Sequence, residues 1–328
     1  MMEALQILRR GTFNGLSSEE KRDITREIAT MTGARWKGMA RFERWGHGIE
    51  TALYDLKGAS FVFVPGDTVT LGWDGFPAEG GEELEALKAA LDKDVAEFWG
   101  GEYETEEILR KLTTPVRQAV IPPMLVERET RPFEDGRPIT LEEAGLTEKG
   151  QKTLEDFLTN GRSKVLEMDT FEPGNPKLRF TKQKGGTFLV ELIVPATAEE
   201  LQARLERDGF TLPDADQWEY LCGGGCRGLF AWGDALPPKG QRFPNFFGLT
   251  IADDNWRREV IRSDGWWFRG GDGGEIDSYG TLRVLNELVG SPHFGGWYGP
   301  EHRDEMEEMK LEGLSGDFDN YRRIIPLR

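Results

Sequence analysis

The chain predicts an α+β fold of short twisted sheets, few helices and many loops, and three features point to it. Between Thr51 and Trp73 short apolar runs alternate with turn pairs, which is strand patterning. Between Glu82 and Leu112 apolar residues recur at helical spacing. After Asp234 the chain becomes loop-rich in Gly, Asp, Trp and Phe; with 41 Gly and 10 Trp in 328 residues, large rings must fill a core that regular elements do not supply.

Residues 1–48 read as a helical preface. Ser17-Ser18-Glu19-Glu20 is a capping-box pattern, Ile24, Ile28 and Met31 follow at helical spacing, and Gly33 is the stop. Trp36, Phe42 and Trp45 imply that the segment packs on the main body, because three large rings are not left in water without a reason. The main domain, 49–328, opens with Leu53–Leu56, Phe61–Val64 and Val69–Trp73 as a three-stranded meander, turning at Lys57-Gly58 and Pro65-Gly66-Asp67.

A largely helical insertion follows at about 77–163. Leu84, Leu87, Leu91, Val95 and Phe98 make one amphipathic helix, and Thr105–Leu112 makes a second with an acidic first turn. Val116–Ile121 is a short strand; Thr140–Glu143 and Leu154–Leu158 are further helix. Strands resume at Lys164–Met168, Leu178–Thr181 and Thr187–Val194. Thr197-Ala198-Glu199-Glu200 caps a helix through Leu201 and Leu205, ended by Gly209, and Ile324–Leu327 closes the chain as an edge strand.

Forty-one Lys and Arg against 58 Asp and Glu give a formal charge of −17, which repels nucleic acid and anionic lipid, and no basic run exceeds two residues. Nothing resembles a secretory leader or a membrane span. The expectation is a cytoplasmic protein that binds neither nucleic acid nor membrane, its two cysteines free thiols.

The most specific stretch is Leu212-Pro213-Asp214-Ala215-Asp216-Gln217-Trp218-Glu219-Tyr220, continuing through Cys222 and Cys226 to Trp232-Gly233-Asp234. A proline opens a short helix, a glycine run ends it, and its aromatics dock it. This stretch resembles the L-P-T-E-A-E-W-E-Y-A…W-G-D signature of the formylglycine-generating enzyme, or sulfatase-modifying factor, family. Phe61–Gly72, Asn245-Phe246-Phe247-Gly248-Leu249, Arg269-Gly270-Gly271 and Asn320-Tyr321-Arg322 resemble other motifs of that family, in the same order. The resemblance covers roughly 51–76 and 165–328 and implies a C-type-lectin-like fold.

It also implies what is missing. Catalytic members hold copper with a cysteine pair shortly after R-G-G-S-W; here those positions fall near Glu275 and Gly280, and no cysteine follows Cys226. Related ergothioneine-type sulfoxide synthases carry an H-x3-H-x-E iron motif, and His47 has no such partner. Some relatives bind calcium near the text matched by Asp253-Asp254-Asn255-Trp256, where Arg258 stands in place of the expected glutamate.

From the residues themselves, Asp272, Glu275 and Asp277 in a glycine loop offer oxygens to a hard cation, with Asn255 as a further ligand; calcium suits them, and the alternative is a tight loop with solvated acids. Cys222 and Cys226 are spaced to offer two soft ligands to copper(I) or zinc, against the ordinary reading of Cys222 as a small buried thiol, and copper or iron are less expected than calcium. Trp256, Trp266, Trp267, Phe268, Phe294, Trp297 and Tyr298 line a pocket or partner surface, with Arg269 and Asp272 as polar contacts, or else fill the core; His293, after Pro292, is a general-base candidate without a visible nucleophile or acid partner, or a structural or surface histidine. His302 sits in a charged helix without a catalytic pattern.

These readings converge on a family-like domain without oxidase activity that binds a small molecule or protein through its late loops, with Trp256, Trp267, Arg269, Asp272, His293 and Trp297 as contacts. One alternative is a metal-dependent oxidoreductase of altered chemistry. Another is a display scaffold like the variable proteins of diversity-generating retroelements, which share the fold.

Overall fold

The computed structural model describes residues 6–133, 136–169, 177–194, 197–240, 242–262, 268–273, 284–296, 314 and 318–327. Helix α1 spans Arg10–Gly15 and α2 spans Ser18–Thr32. Ser17 caps α2 through the expected box with Glu20, and Gly33 ends it at φ 68°. The buried stripe of α2 is Lys21, Thr25, Ile28 and Ala29. Met31 lies off that stripe and is 69% exposed, so the periodic reading placed the helix face wrongly at its end. Thr25 is fully buried because Trp36 Nε1 donates to its hydroxyl at 3.2 Å and Tyr54 Oη donates to its carbonyl at 2.9 Å.

The stretch expected as helical preface contains strand β1, Arg35–Arg44. It pairs antiparallel with β2, His47–Leu56, through a two-residue turn in which Trp45 and Gly46 take φ 51° and 75°. Two positive φ values are the geometry that matches strand twist, and that local turn makes a hairpin of the aromatic run. Strand β3, Ala59–Val64, follows, so the meander is β1-β2-β3. The third strand expected there, β4 (Asp67–Leu71), leaves the sheet and pairs with β5, Arg117–Ile121. Pairing partners fifty residues apart leave no local trace in the text.

The main sheet is completed by β6, Met124–Glu127, on β3 and, at the far edge, β15, Ile324–Pro326. A third sheet joins β7 (Arg131–Pro132), β14 (Asp319–Tyr321), β12 (Arg258–Val260) and β13 (Phe268–Arg269), with β12 and β14 parallel. Helices α3, Glu82–Trp99, and α4, Thr105–Leu112, have the expected bounds. Leu87, Leu91, Val95, Leu109 and Leu112 pack with Trp73, Phe230 and a 3-10 helix, Leu285–Gly290. Phe98 is 37% exposed and instead meets the Trp99 ring at 4.4 Å.

These elements belong to one compact unit: Met1–Pro132, Gln202–Arg303 and Phe318–Arg328. A second unit, Phe133–Leu201 with Asp304–Asp317, has its own core. There β8 (Gly136–Pro138), β9 (Val165–Asp169), β10 (Lys177–Lys182) and β11 (Phe188–Ile193) form a sheet in the order β8-β11-β10-β9, with helix α5, Glu148–Asn160. Thr140–Glu143, expected as helix, runs instead into a turn over 141–145, since Gly145 takes φ 57° after little more than one turn of chain. Helix α6, Ala198–Arg207, has the Thr197–Glu200 box at its start. The architecture is thus mixed α+β with several small, mainly antiparallel sheets. No helix among the described residues is long and apolar enough to cross a membrane.

Candidate functional site

Helix α7, Ala215–Gly223, is the element on which the candidate site is built. Asp214 caps it, its carboxylate accepting from Gln217 N at 2.8 Å while Gln217 Oε1 accepts from Asp214 N at 3.0 Å. Gly224, at φ 61°, stops it. Trp218 and Tyr220 are fully buried.

Around this helix the distant stretches meet. Tyr220 Oη donates to Pro65 O at 3.1 Å, Asn245 Nδ2 donates to Leu221 O at 2.8 Å, and the Phe247 ring lies 5.2 Å from Tyr220. Gly270, at φ 81°, sits so close that a Cβ there would be 2.8 Å from the Trp218 ring. Arg322 is fully buried, gripping the Glu259 carboxylate with Nε at 3.0 Å and Nη2 at 2.9 Å.

Glu219, between the two rings, has both oxygens occupied. Oε1 accepts from Gly72 N at 2.5 Å and lies 2.8 Å from His293 Nδ1; Oε2 accepts from Thr114 Oγ1 at 3.0 Å and Arg117 Nη2 at 2.8 Å. Burial pushes its pKa upward, but the His293 hydrogen bond and charge, with Arg117, outweigh that and hold it down to about 2. His293 is 1% exposed; its Nε2 faces Gly228 O at 3.1 Å and Cys226 Sγ at 3.8 Å.

Thiol, imidazole and carboxylate therefore stand in the order that nucleophilic catalysis uses. Nδ1 faces the Glu219 carboxylate, and Nε2 lies nearer the Gly228 carbonyl, at 3.1 Å, than the Cys226 thiol, at 3.8 Å. Burial, with Glu219 and Asp234 adding to it, pushes the Cys226 thiol up to about 12, and burial pushes Cys222 well above its ordinary value. The cluster is a buried polar tie between the glycine loop, α7 and the segment after the 3-10 helix.

The contacts expected in the late loops divide sharply. Arg269 and Asp272 are buried with His293, at 1% and 4% exposure. Arg269 Nη1 donates to Phe294 O, and burial draws its pKa down to about 10, with Glu219 opposing. Asp272 N donates to Asn255 O at 3.1 Å, so the Asp272 and Asn255 backbones join two loops. Trp256 is 47% exposed. Arg258 turns to Asp319 at 2.7 Å and lies 3.7 Å from the Phe268 ring centre.

Trp266, Trp267, Glu275, Asp277, Gly280, Trp297, Tyr298 and His302 lie outside the described residues. Among the described residues, no group of three or more His, Cys, Asp or Glu is placed to hold a metal ion. The sequence reading missed Glu219, whose partner His293 is 74 residues away. The signal available was an acid between two ring residues on a helix that had to be buried. No family model matches the chain, and no curated protein matches it.

Proposed function

We propose that the chain is a formylglycine-generating-enzyme-like protein of C-type-lectin-like fold, without oxidase chemistry, that binds a small molecule or protein through its loops in 245–299. The family reading is supported by the meeting of Pro65, Asn245 and Gly270 around the one helix that carries Trp218 and Tyr220. Binding rather than catalysis is carried by one observation: His293, Glu219 and Arg269 are held in buried contacts. What the described loops present outward is Trp256, beside the Asp254–Arg257 pair at 3.7 Å. A half-exposed indole flanked by both charges is a contact surface for a partner with an apolar face.

The test is metal analysis of the purified chain after exposure to calcium, iron(II) and copper(I) and desalting. The expected result is no stoichiometric copper or iron. Near-stoichiometric copper, lost in Cys222→Ser, would overturn the reading in favour of a metal-dependent oxidoreductase.

A further inference from the structure

Strand β1 lies at the edge of the five-stranded sheet, and among the described residues no strand pairs with its outer side. After the bulge between Trp36 and Gly38 the ladder to β2 runs without interruption from Gly38 to Arg44. Antiparallel pairing turns the N–H and C=O of alternate residues away from the partner strand. Counted from the Arg44–His47 pair that closes the two-residue turn, the outward residues are Glu43, Arg41 and Met39. Six backbone groups on that side are thus presented to an incoming strand.

On the edge strand itself the charge is opposite to that of the chain, with Glu50 and Asp55 facing Arg41 and Arg35 from β2. Arg35, Lys37, Arg41 and Arg44 stand on β1 against the single acid Glu43, in a protein of net charge −17. Arg26 of α2 adds its guanidinium, 4.9 Å from the Trp36 ring. The ion pairs Arg35–Asp55 and Arg41–Glu43 are exposed and leave these side chains open to exchange. Basic side chains on an edge strand guard against pairing with a second copy, because two β1 strands would bring like charges opposite one another. The same charges complement an acidic strand. Alternating donors and acceptors on an extended backbone match another peptide, whereas a phosphate backbone offers acceptors only.

We propose that the outer edge of β1, Gly38–Arg44, docks an acidic extended segment of a partner protein by strand addition. The probe is a labelled, end-blocked ten-residue peptide alternating Val and Glu, titrated at low salt into the full chain, with a Val-Lys peptide and a ten-nucleotide oligothymidine as comparisons. The Val-Glu peptide is expected to bind saturably and to slow hydrogen exchange at Met39, Arg41 and Glu43, weakening as salt rises. Arg41→Pro removes an outward N–H without touching the β2 ladder and lowers affinity on the order of tenfold; Arg41→Gln, which keeps the N–H, lowers it less. The exposed double change Lys37→Glu with Arg41→Glu shifts preference to the Val-Lys peptide, and decides the matter if the proline variant does not fold. Equal binding of the two peptides, tighter binding of the oligonucleotide, no protection on β1, or dimerisation through β1 without peptide would each overturn the proposal.

Discussion

Glu219 accepts four hydrogen bonds from parts of the chain as far apart as Gly72 and His293, and its side chain is fully buried. Replacing it with Gln keeps the shape but leaves Arg117 with Asp216 as its one remaining carboxylate among the described residues and takes the carboxylate from His293, and is expected to cost about 3 kcal/mol in denaturant unfolding. Its pKa is lowered in the folded state from 4.5 to about 2. The unfolded chain therefore binds its proton first as pH falls. The stabilisation, about 3 kcal/mol, is fully present above the unfolded value and is lost between pH 4.5 and about 2. Over that window stability should fall less steeply in Glu219→Gln than in the parent; identical slopes would show that the Glu219 charge contributes nothing. At this scale the sequence was partly legible. Cys222 as a buried thiol follows from its place on a helix docked by aromatics. The burial of Arg269 and Asp272 does not, because a glycine loop reads as solvated until one knows that Gly270 lies against Trp218.

Elements were legible where local chemistry decides them. The boxes at Ser17 and Thr197, and the leucine spacing of α3, lie within a few residues of the helices they specify. Pairing partners were not, because β4 and β5 meet through chain closure and not through neighbouring text. Strand β1 was missed because four basic residues mask an alternating pattern. The cap of α7 gives a test at this scale. Asp214→Ala removes the acceptor of Gln217 N and should destabilise the protein by about 1 kcal/mol. The effect should be rescued by Asn or Ser, whose side chains cap without the full charge. Failure of both to rescue would mean that Asp214 acts through Arg262, 3.6 Å away, and not through the cap.

For the whole molecule, the division into two units was not legible from composition, since no low-complexity linker marks it. The stretch read as one insertion, about 77–163, is divided between them at Pro132. Residues before that point supply Leu87, Leu91 and Leu109 to the first unit's core, and residues after it supply Leu154 and Phe157 to the second. Each apolar cluster is continuous within its own unit, so the loss of one should be felt within that unit. Phe180 is fully buried among Leu154, Phe157, Leu178 and Val190. Truncation to Ala removes a ring from a small core and should cost the second unit about 4 kcal/mol. In native-state hydrogen exchange, the slow amides of β10 and β11 should accelerate on the order of a thousandfold, while those of β2 and β3 keep their rates. Equal acceleration in both sheets would mean that the units unfold as one.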